Sequence, residues 1–92
     1  MDREAARSLM RLPGVGRSIA QDLHDLGYRR AEDLAGADPE AMYDRLQALA
    51  GRKLDRCLLY TFRCAVYAAS TADPEPDKLK WWNWKDQGRA RP

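Results

Sequence analysis

Apolar residues recur every three or four positions along most of this chain, which is the spacing of one face of an α-helix. In the first such stretch, residues 4–11, Ala5 and Leu9 are followed by Leu12 at the same spacing. Pro13 then stops the pattern, because proline has no backbone N–H and restricts the residue before it. The chain is therefore predicted to begin with a helix that ends at a sharp break.

A second helix is predicted directly after this break. Its apolar face consists of Ile19, Ala20, Leu23 and Leu26. Gly27 follows at the position of a C-cap glycine. Within the break, Gly14 and Gly16 permit a very tight reversal around Val15, because glycine tolerates backbone angles that other residues avoid. We expect Val15 to be buried between the two helices as the anchor of the turn.

The next twenty residues show a similar order of elements without repeating the sequence. Residues 31–36 predict a short helix, and Asp38 as N-cap with Pro39 after it predicts the start of another. Gly51 closes this second helix, whose apolar stripe consists of Met42, Leu46 and Leu49. We interpret this pair of helices as a degenerate partner of the first pair.

The longest predicted helix runs from about Lys53 to Ser70. Its wide apolar surface, which is typical of a central and buried helix, includes Leu54, Leu58, Phe62, Ala65 and Ala69. After a proline-containing break at residues 73–76, Asp77 can cap a last short helix that carries Leu79, Trp81, Trp82 and Trp84. We expect at least two of the tryptophans to dock on the longest helix, because together they would otherwise form a large exposed apolar patch.

Length and composition are typical of one soluble globular domain, with 92 residues of which 45% are hydrophobic and 33% charged. We place the domain at residues 1–86 and interpret residues 87–92 as a frayed polar tail. No stretch approaches the roughly 18 consecutive apolar residues of a membrane span, and the charged start lacks the apolar core of a signal peptide. We therefore expect a cytoplasmic protein without a membrane partner.

The only two cysteines, Cys57 and Cys64, are seven positions apart in the longest predicted helix. Two helical turns separate them by roughly 10 Å, which is too far for a disulfide. Their spacing does not match that of a metal site either. We expect both to be buried core residues with poorly reactive thiols.

The net charge of +2 is too small to indicate a nucleic-acid partner by itself. The distribution of charge is more informative. Residues 1–30 carry +2, residues 31–50 carry −4, residues 51–72 carry +3 and residues 73–92 carry +1. Positive charge is thus concentrated near the turn at residues 12–16, which we call the glycine-rich turn, and along the longest helix.

The start of the second helix is the main candidate site. The first N–H groups of a helix have no partner within the helix and carry partial positive charge, so they suit a phosphate oxygen. The glycines of the turn allow a bulky anion to approach closely, and Arg17 and Ser18 can add a charge and a hydroxyl group. A turn of this composition can also be purely structural or serve protein contacts, and that alternative stays open here.

The turn resembles the helix-hairpin-helix motif of DNA repair and recombination proteins in the stretches Leu12-Pro13-Gly14-Val15-Gly16, Ile19-Ala20 and Leu23. Three later stretches are similar to the small bacterial pathogenicity locus helix-hairpin-helix family: DRCLLY at 55–60, FRCAVY at 62–67 and KWWNWK at 80–85. With them the resemblance covers nearly the whole chain. It implies an all-α, SAM-like fold, namely a compact domain of five or six helices with tandem helix-hairpin-helix-like units.

The resemblance also implies roles for individual backbone atoms. Phosphate would be held by the N–H groups of Gly14, Gly16 and Ser18, and Val15 and Arg17 belong to the same nucleic-acid-binding turn. A monovalent cation such as potassium or sodium would be held by the carbonyl groups of Met10, Leu12 and Val15. No other cofactor is expected.

A stripe of basic and aromatic residues on the longest helix leaves two interpretations open. It consists of Arg52, Arg56, Tyr60, Arg63 and Tyr67. It can track a nucleic-acid backbone and stack bases, or it can receive the tryptophans through burial and cation–π contact, which is the interpretation we prefer. Arg52 and Lys53, at the start of that helix, are the residues best placed to reach a phosphate.

We expect no catalysis. His24 has no partner pattern around it, and helix capping and solubility explain the acidic residues 32–44. The predicted function is sequence-independent binding of DNA through its backbone phosphates, as an accessory to repair or recombination. A non-catalytic protein–protein adaptor of the same fold is the alternative, and a small nuclease is a third hypothesis. The sequence leaves open whether single-stranded, duplex or branched DNA is preferred.

Overall fold

The computed structural model describes residues 2–85, and this part of the chain contains four α-helices and no β-strand. The helices are α1 (Arg3–Leu9), α2 (Arg17–Asp25), α3 (Pro39–Ala50) and α4 (Arg56–Ser70). Single 3₁₀ turns are formed by Ala31–Leu34, Pro76–Leu79 and Trp81–Trp84. We refer to the last of these as the tryptophan turn. The predicted all-α fold class is confirmed, and the tail that we expected at residues 87–92 lies outside the described residues.

The prediction of five or six helices is wrong for the described residues, because two predicted short helices are 3₁₀ turns. Ala31–Leu34 is bounded by extended backbone at Arg30 and by Gly36 at φ +76°. So few residues cannot offset the cost of nucleating an α-helix. Extended backbone at Lys80 likewise divides the predicted C-terminal helix into two separate turns. The second predicted helix pair therefore consists of one 3₁₀ turn and α3.

Aspartates cap three of the four described helices at their N-termini. The Asp2 carboxylate accepts a hydrogen bond from the backbone N–H of Ala5 at 2.7 Å. Asp38 and Asp55 cap α3 and α4 in the same way. The cap at Asp55 also explains why α4 begins at Arg56, three residues later than predicted.

One hydrophobic core holds the helices together, and α4 lies at its centre. This helix packs against α3, against the turn Ala31–Leu34 and against both C-terminal turns. The buried cluster consists of Leu9, Leu12, Val15, Ala20, Leu23, Leu26, Leu34, Met42, Tyr43, Leu46, Leu59, Phe62 and Ala65. Burial of each larger side chain stabilises the fold by about 1.5–3 kcal/mol. The predicted central position of this helix is confirmed, but its predicted burial is only partly confirmed, because five of its fifteen residues are buried.

The tryptophan turn lies against α4, and Trp84 makes its clearest contacts. The ring centroids of Trp84 and Tyr67 are 5.4 Å apart. The indole N–H of Trp84 donates to the Lys78 carbonyl at 2.8 Å, and Arg63 donates to the Trp84 carbonyl at 2.8 Å. Tyr67 of the predicted basic and aromatic stripe thus packs against a tryptophan ring, as we preferred. Arg63 of the same stripe contacts Trp84 through its backbone carbonyl. Trp82 remains 51% exposed.

The two cysteines differ in burial, and the prediction that both are buried is wrong for Cys57. Cys64 is buried and donates a hydrogen bond to the Lys78 carbonyl at 3.4 Å. Cys57 shares the same helix face but is exposed, because it lies in the first turn of α4, where the burial typical of the later turns has not yet begun. Both thiols are free.

We expect a thiol reagent to modify Cys57 in the native protein and Cys64 only on unfolding. The hydrogen bond and the charge of Asp55 raise the pKa of the Cys57 thiol, and burial raises the pKa of Cys64 to about 11. Asp55→Asn keeps the helix cap but removes the charge, so it should accelerate labelling of Cys57 near neutral pH. Peptide mass spectrometry after timed labelling measures both rates. Rapid native labelling of Cys64 would contradict the packing described here.

Candidate nucleic-acid interface

Buried apolar side chains anchor the turn between α1 and α2. Leu12 and Val15 are each only 6% exposed, so the predicted anchoring of the turn by Val15 is confirmed. The backbone N–H of Val15 donates to the Leu12 carbonyl at 3.2 Å, which closes the turn. These contacts give the start of α2 a rigid base.

Gly14 is required by packing and by backbone geometry. Its φ is +74°, which side chains disfavour. A Cβ atom at this position would lie 3.2 Å from Cδ1 of Trp81 and 3.4 Å from Cγ2 of Thr61. The tryptophan turn and α4 thus close directly on the glycine-rich turn. Sequence reasoning missed this contact, because it joins positions more than forty residues apart.

Gly16 is open to solvent at the N-terminus of α2. Its φ of −93° and ψ of −170° are extended backbone that any residue can adopt. Apart from Gly16 and its two chain neighbours, no atom of the described residues lies within 4 Å of a Cβ placed there. No described side chain caps the helix. Arg17 and Ser18 are exposed in the first helical turn, which contains no acidic residue. The first N–H groups of α2 are therefore directed at a surface that an anion can reach.

A groove of about 300 Å³ brings two of the predicted site residues together, although they are far apart in sequence. Ser18 and Arg52 both line it, beside an apolar wall that includes Leu49. The groove also contains Asp22 and Asp25 of α2. Partial burial and the neighbouring charge of Asp25 raise the pKa of Asp22. An anion is therefore favoured at the Ser18 end of the groove and disfavoured further along α2.

Lys53, which we predicted beside Arg52, is exposed but does not line this groove. It lies in the connection between α3 and α4, after Gly51 in left-handed backbone at φ +71°. The basic pair is therefore in a loop, outside the helix in which the sequence pattern placed it. A loop position leaves the long side chain of Lys53 free to reach outward.

A second groove, of about 420 Å³, runs along α1 and was not identified from the sequence. Its basic lining residues are Arg7, Arg11, Arg29 and Arg30, and its acidic ones are Asp2 and Glu4. The two arginine pairs meet because the backbone N–H of Ala31 donates to Ser8 Oγ at 2.9 Å. The spacing of Arg7 and Arg11 on one helix face was the only available sequence signal.

The turn also offers the carbonyl groups that the resemblance assigned to a monovalent cation. The Leu12 carbonyl already accepts the Val15 N–H, which leaves one of its two lone pairs for a cation. Met10, the C-cap of α1, is 42% exposed, so solvent reaches that side of the turn. The cation site at Met10, Leu12 and Val15 stays a prediction.

Residues 2–85 contain neither a cluster of metal-ligating side chains nor a helix that could span a membrane. No group of three or more His, Cys, Asp or Glu side chains is arranged to hold a metal ion there. In the same residues, no helix combines the length and the apolar composition needed to cross a membrane.

Comparison with known proteins identifies the family. The family model described as Pathogenicity locus (Cdd1) matches residues 2–90. The chain belongs to the pathogenicity locus family. The match spans all four helices and the tryptophan turn, so the contact between that turn and Gly14 lies within the domain that defines the pathogenicity locus family.

A curated relative is the mitomycin resistance protein McrB of Streptomyces lavendulae. It is 36% identical to this chain over 76 residues, which are 83% of this chain and 69% of the relative. The comparison with solved structures gave no significant match.

Proposed function

We propose that the protein binds DNA without sequence preference, by holding backbone phosphates at the N-terminus of α2. In this proposal α1, the glycine-rich turn and α2 act as a helix-hairpin-helix element, and the turn Ala31–Leu34 with α3 is its reduced second unit. The protein would be a cytoplasmic accessory to repair or recombination and would not itself be an enzyme. The observation that carries the proposal is the uncapped, open start of α2 at Gly16.

A phosphate at this position would cap the N-terminus of α2, as aspartates cap the N-termini of the other three described helices. Asp2, Asp38 and Asp55 each accept N–H groups of the first turn, and α2 has no such acceptor among the described residues. A phosphate oxygen can accept the same groups and gain from the positive end of the helix dipole. Contacts of this kind carry no sequence information, because every nucleotide has the same backbone.

Basic side chains on two sides of this position support the proposal. Arg52 shares a groove with Ser18, and Arg17 follows the turn directly. Along α1, Arg11 is the groove arginine nearest the turn in sequence. Such residues would engage neighbouring phosphates of the same ligand, so affinity should depend on several ionic contacts.

The test is a titration of fluorescently labelled DNA of two unrelated sequences at low and at physiological salt. We expect equal affinities for the two sequences, a dissociation constant of about 1 μM or weaker at physiological salt, and a steep loss of affinity with salt. Arg17→Ala should weaken binding of both sequences alike and reduce the logarithmic salt slope by about one. Arg3→Ala removes an exposed arginine from the start of α1, outside both grooves, and is the matched control.

Two results would contradict the proposal. One is the absence of binding to any DNA form at low salt. The other is an Arg17→Ala variant that keeps the affinity and the salt slope of Arg3→Ala. Either result would favour the protein–protein adaptor hypothesis, and a search for protein partners would then be the next experiment.

A further inference from the structure

We propose that Trp82 stacks on an unpaired base of the bound nucleic acid, so that the preferred ligand is single-stranded DNA. This inference rests on the proposed function, because it assigns a strand type to the same site. It starts from the difference between Trp82 and the other two tryptophans. Trp81 and Trp84 are partly buried, and Trp82 is one of the few large apolar side chains that are exposed.

The ring of Trp82 contacts one neighbouring ring, which favours one orientation, while much of its surface stays exposed. Trp81 and Trp82 are in an edge-to-face arrangement at 85°, with ring centroids 5.9 Å apart. This neighbour can cover at most one face of the Trp82 ring. A ring that is already oriented loses little conformational freedom when a base stacks on its open face.

The position of Trp82 links it to the proposed phosphate site. Its neighbour Trp81 lies beside Gly14, because a Cβ atom added at Gly14 would be 3.2 Å from Cδ1 of Trp81. Gly14 is two residues before Gly16, the N-cap of α2. A strand whose phosphate is held at α2 can therefore extend a nearby base towards Trp82. The flanking residues Lys80 and Lys85 are exposed and basic, which suits a strand with a charged backbone.

Strand type follows from which part of a base is accessible. In a duplex the faces of internal bases are covered by their neighbours, so Trp82 would contact only the ends. In a single strand each base can rotate outward and stack on an aromatic ring without regard to its identity. Trp82 therefore adds affinity for single strands without adding sequence preference.

The test compares three ligands of equal length by fluorescence anisotropy: oligothymidylate, an abasic deoxyribose-phosphate strand and a blunt duplex. We expect the wild type to bind oligothymidylate about 5- to 100-fold more tightly than the abasic strand, which has the phosphates but no bases. Trp82→Ala should lose this difference and bind both strands with the abasic affinity. Trp82→Phe, which keeps a smaller ring, should retain most of the difference.

The outcomes separate this inference from the proposed function. Equal affinity of the wild type for oligothymidylate and the abasic strand would overturn base stacking and leave phosphate binding intact. Tighter binding of the duplex than of oligothymidylate would do the same. Absence of binding to all three ligands would overturn both proposals. The wild-type comparison needs no variant, so it holds even if Trp82→Ala unfolds, which thermal melting would reveal.

Discussion

Gly16→Asp should stabilise the fold and reduce DNA affinity more than tenfold. Gly16 already has the extended backbone of the aspartate caps, and no described atom obstructs a side chain there. The new carboxylate would accept the free N–H groups of α2 and gain from the helix dipole, which together are worth about 0.5–1 kcal/mol. It would also occupy the proposed phosphate position with a negative charge. Thermal melting and DNA titration measure the two effects.

Gly16→Asn separates blocking of the site from charge repulsion. Asparagine caps a helix about as well as aspartate but carries no charge. We expect the asparagine variant to bind DNA more weakly than the wild type and more tightly than Gly16→Asp. If Gly16→Asp is stabilised and still binds DNA with wild-type affinity, the phosphate does not lie at the start of α2.

Gly14→Ala should destabilise the domain by about 1–3 kcal/mol, a large part of the total for a small protein. About 1 kcal/mol comes from the left-handed backbone at φ +74°. Crowding adds up to about 2 kcal/mol, because the methyl group would lie 3.2 Å from Cδ1 of Trp81 and this side chain must shift to accommodate it. Chemical denaturation monitored by circular dichroism measures the loss.

Gly36→Ala is the matched control for this prediction. Gly36 has almost the same φ, +76°, but nothing among the described residues lies within 4 Å of its added Cβ. Its substitution therefore has the backbone cost without the crowding. If the two variants are destabilised equally, the tryptophan turn does not pack on Gly14, and the link from the glycine-rich turn to Trp82 is lost.

Local sequence patterns determined most of the helical structure of this protein. Pro13 and the glycines around Val15 place the break between α1 and α2, and Asp38 with Pro39 places the start of α3. These signals work because caps, breaks and apolar periodicity act over three or four neighbouring residues. The same locality explains the errors at residues 31–36 and in the tryptophan segment, where apolar content alone was too weak a sign of α-helix.

Tertiary structure alone decided the roles of residues that look equivalent in sequence. Gly14 and Gly16 belong to one motif, yet a side chain at Gly14 would meet Trp81 and Thr61, whereas a side chain at Gly16 would enter open space. Cys57 and Cys64 share a helix face, yet only Cys64 is buried. Arg52 reaches the groove of Ser18 only because residues of α2, α3 and α4 line that groove together. Each of these differences depends on contacts between distant segments, whose positions are set by burial of the shared core and not by any local pattern.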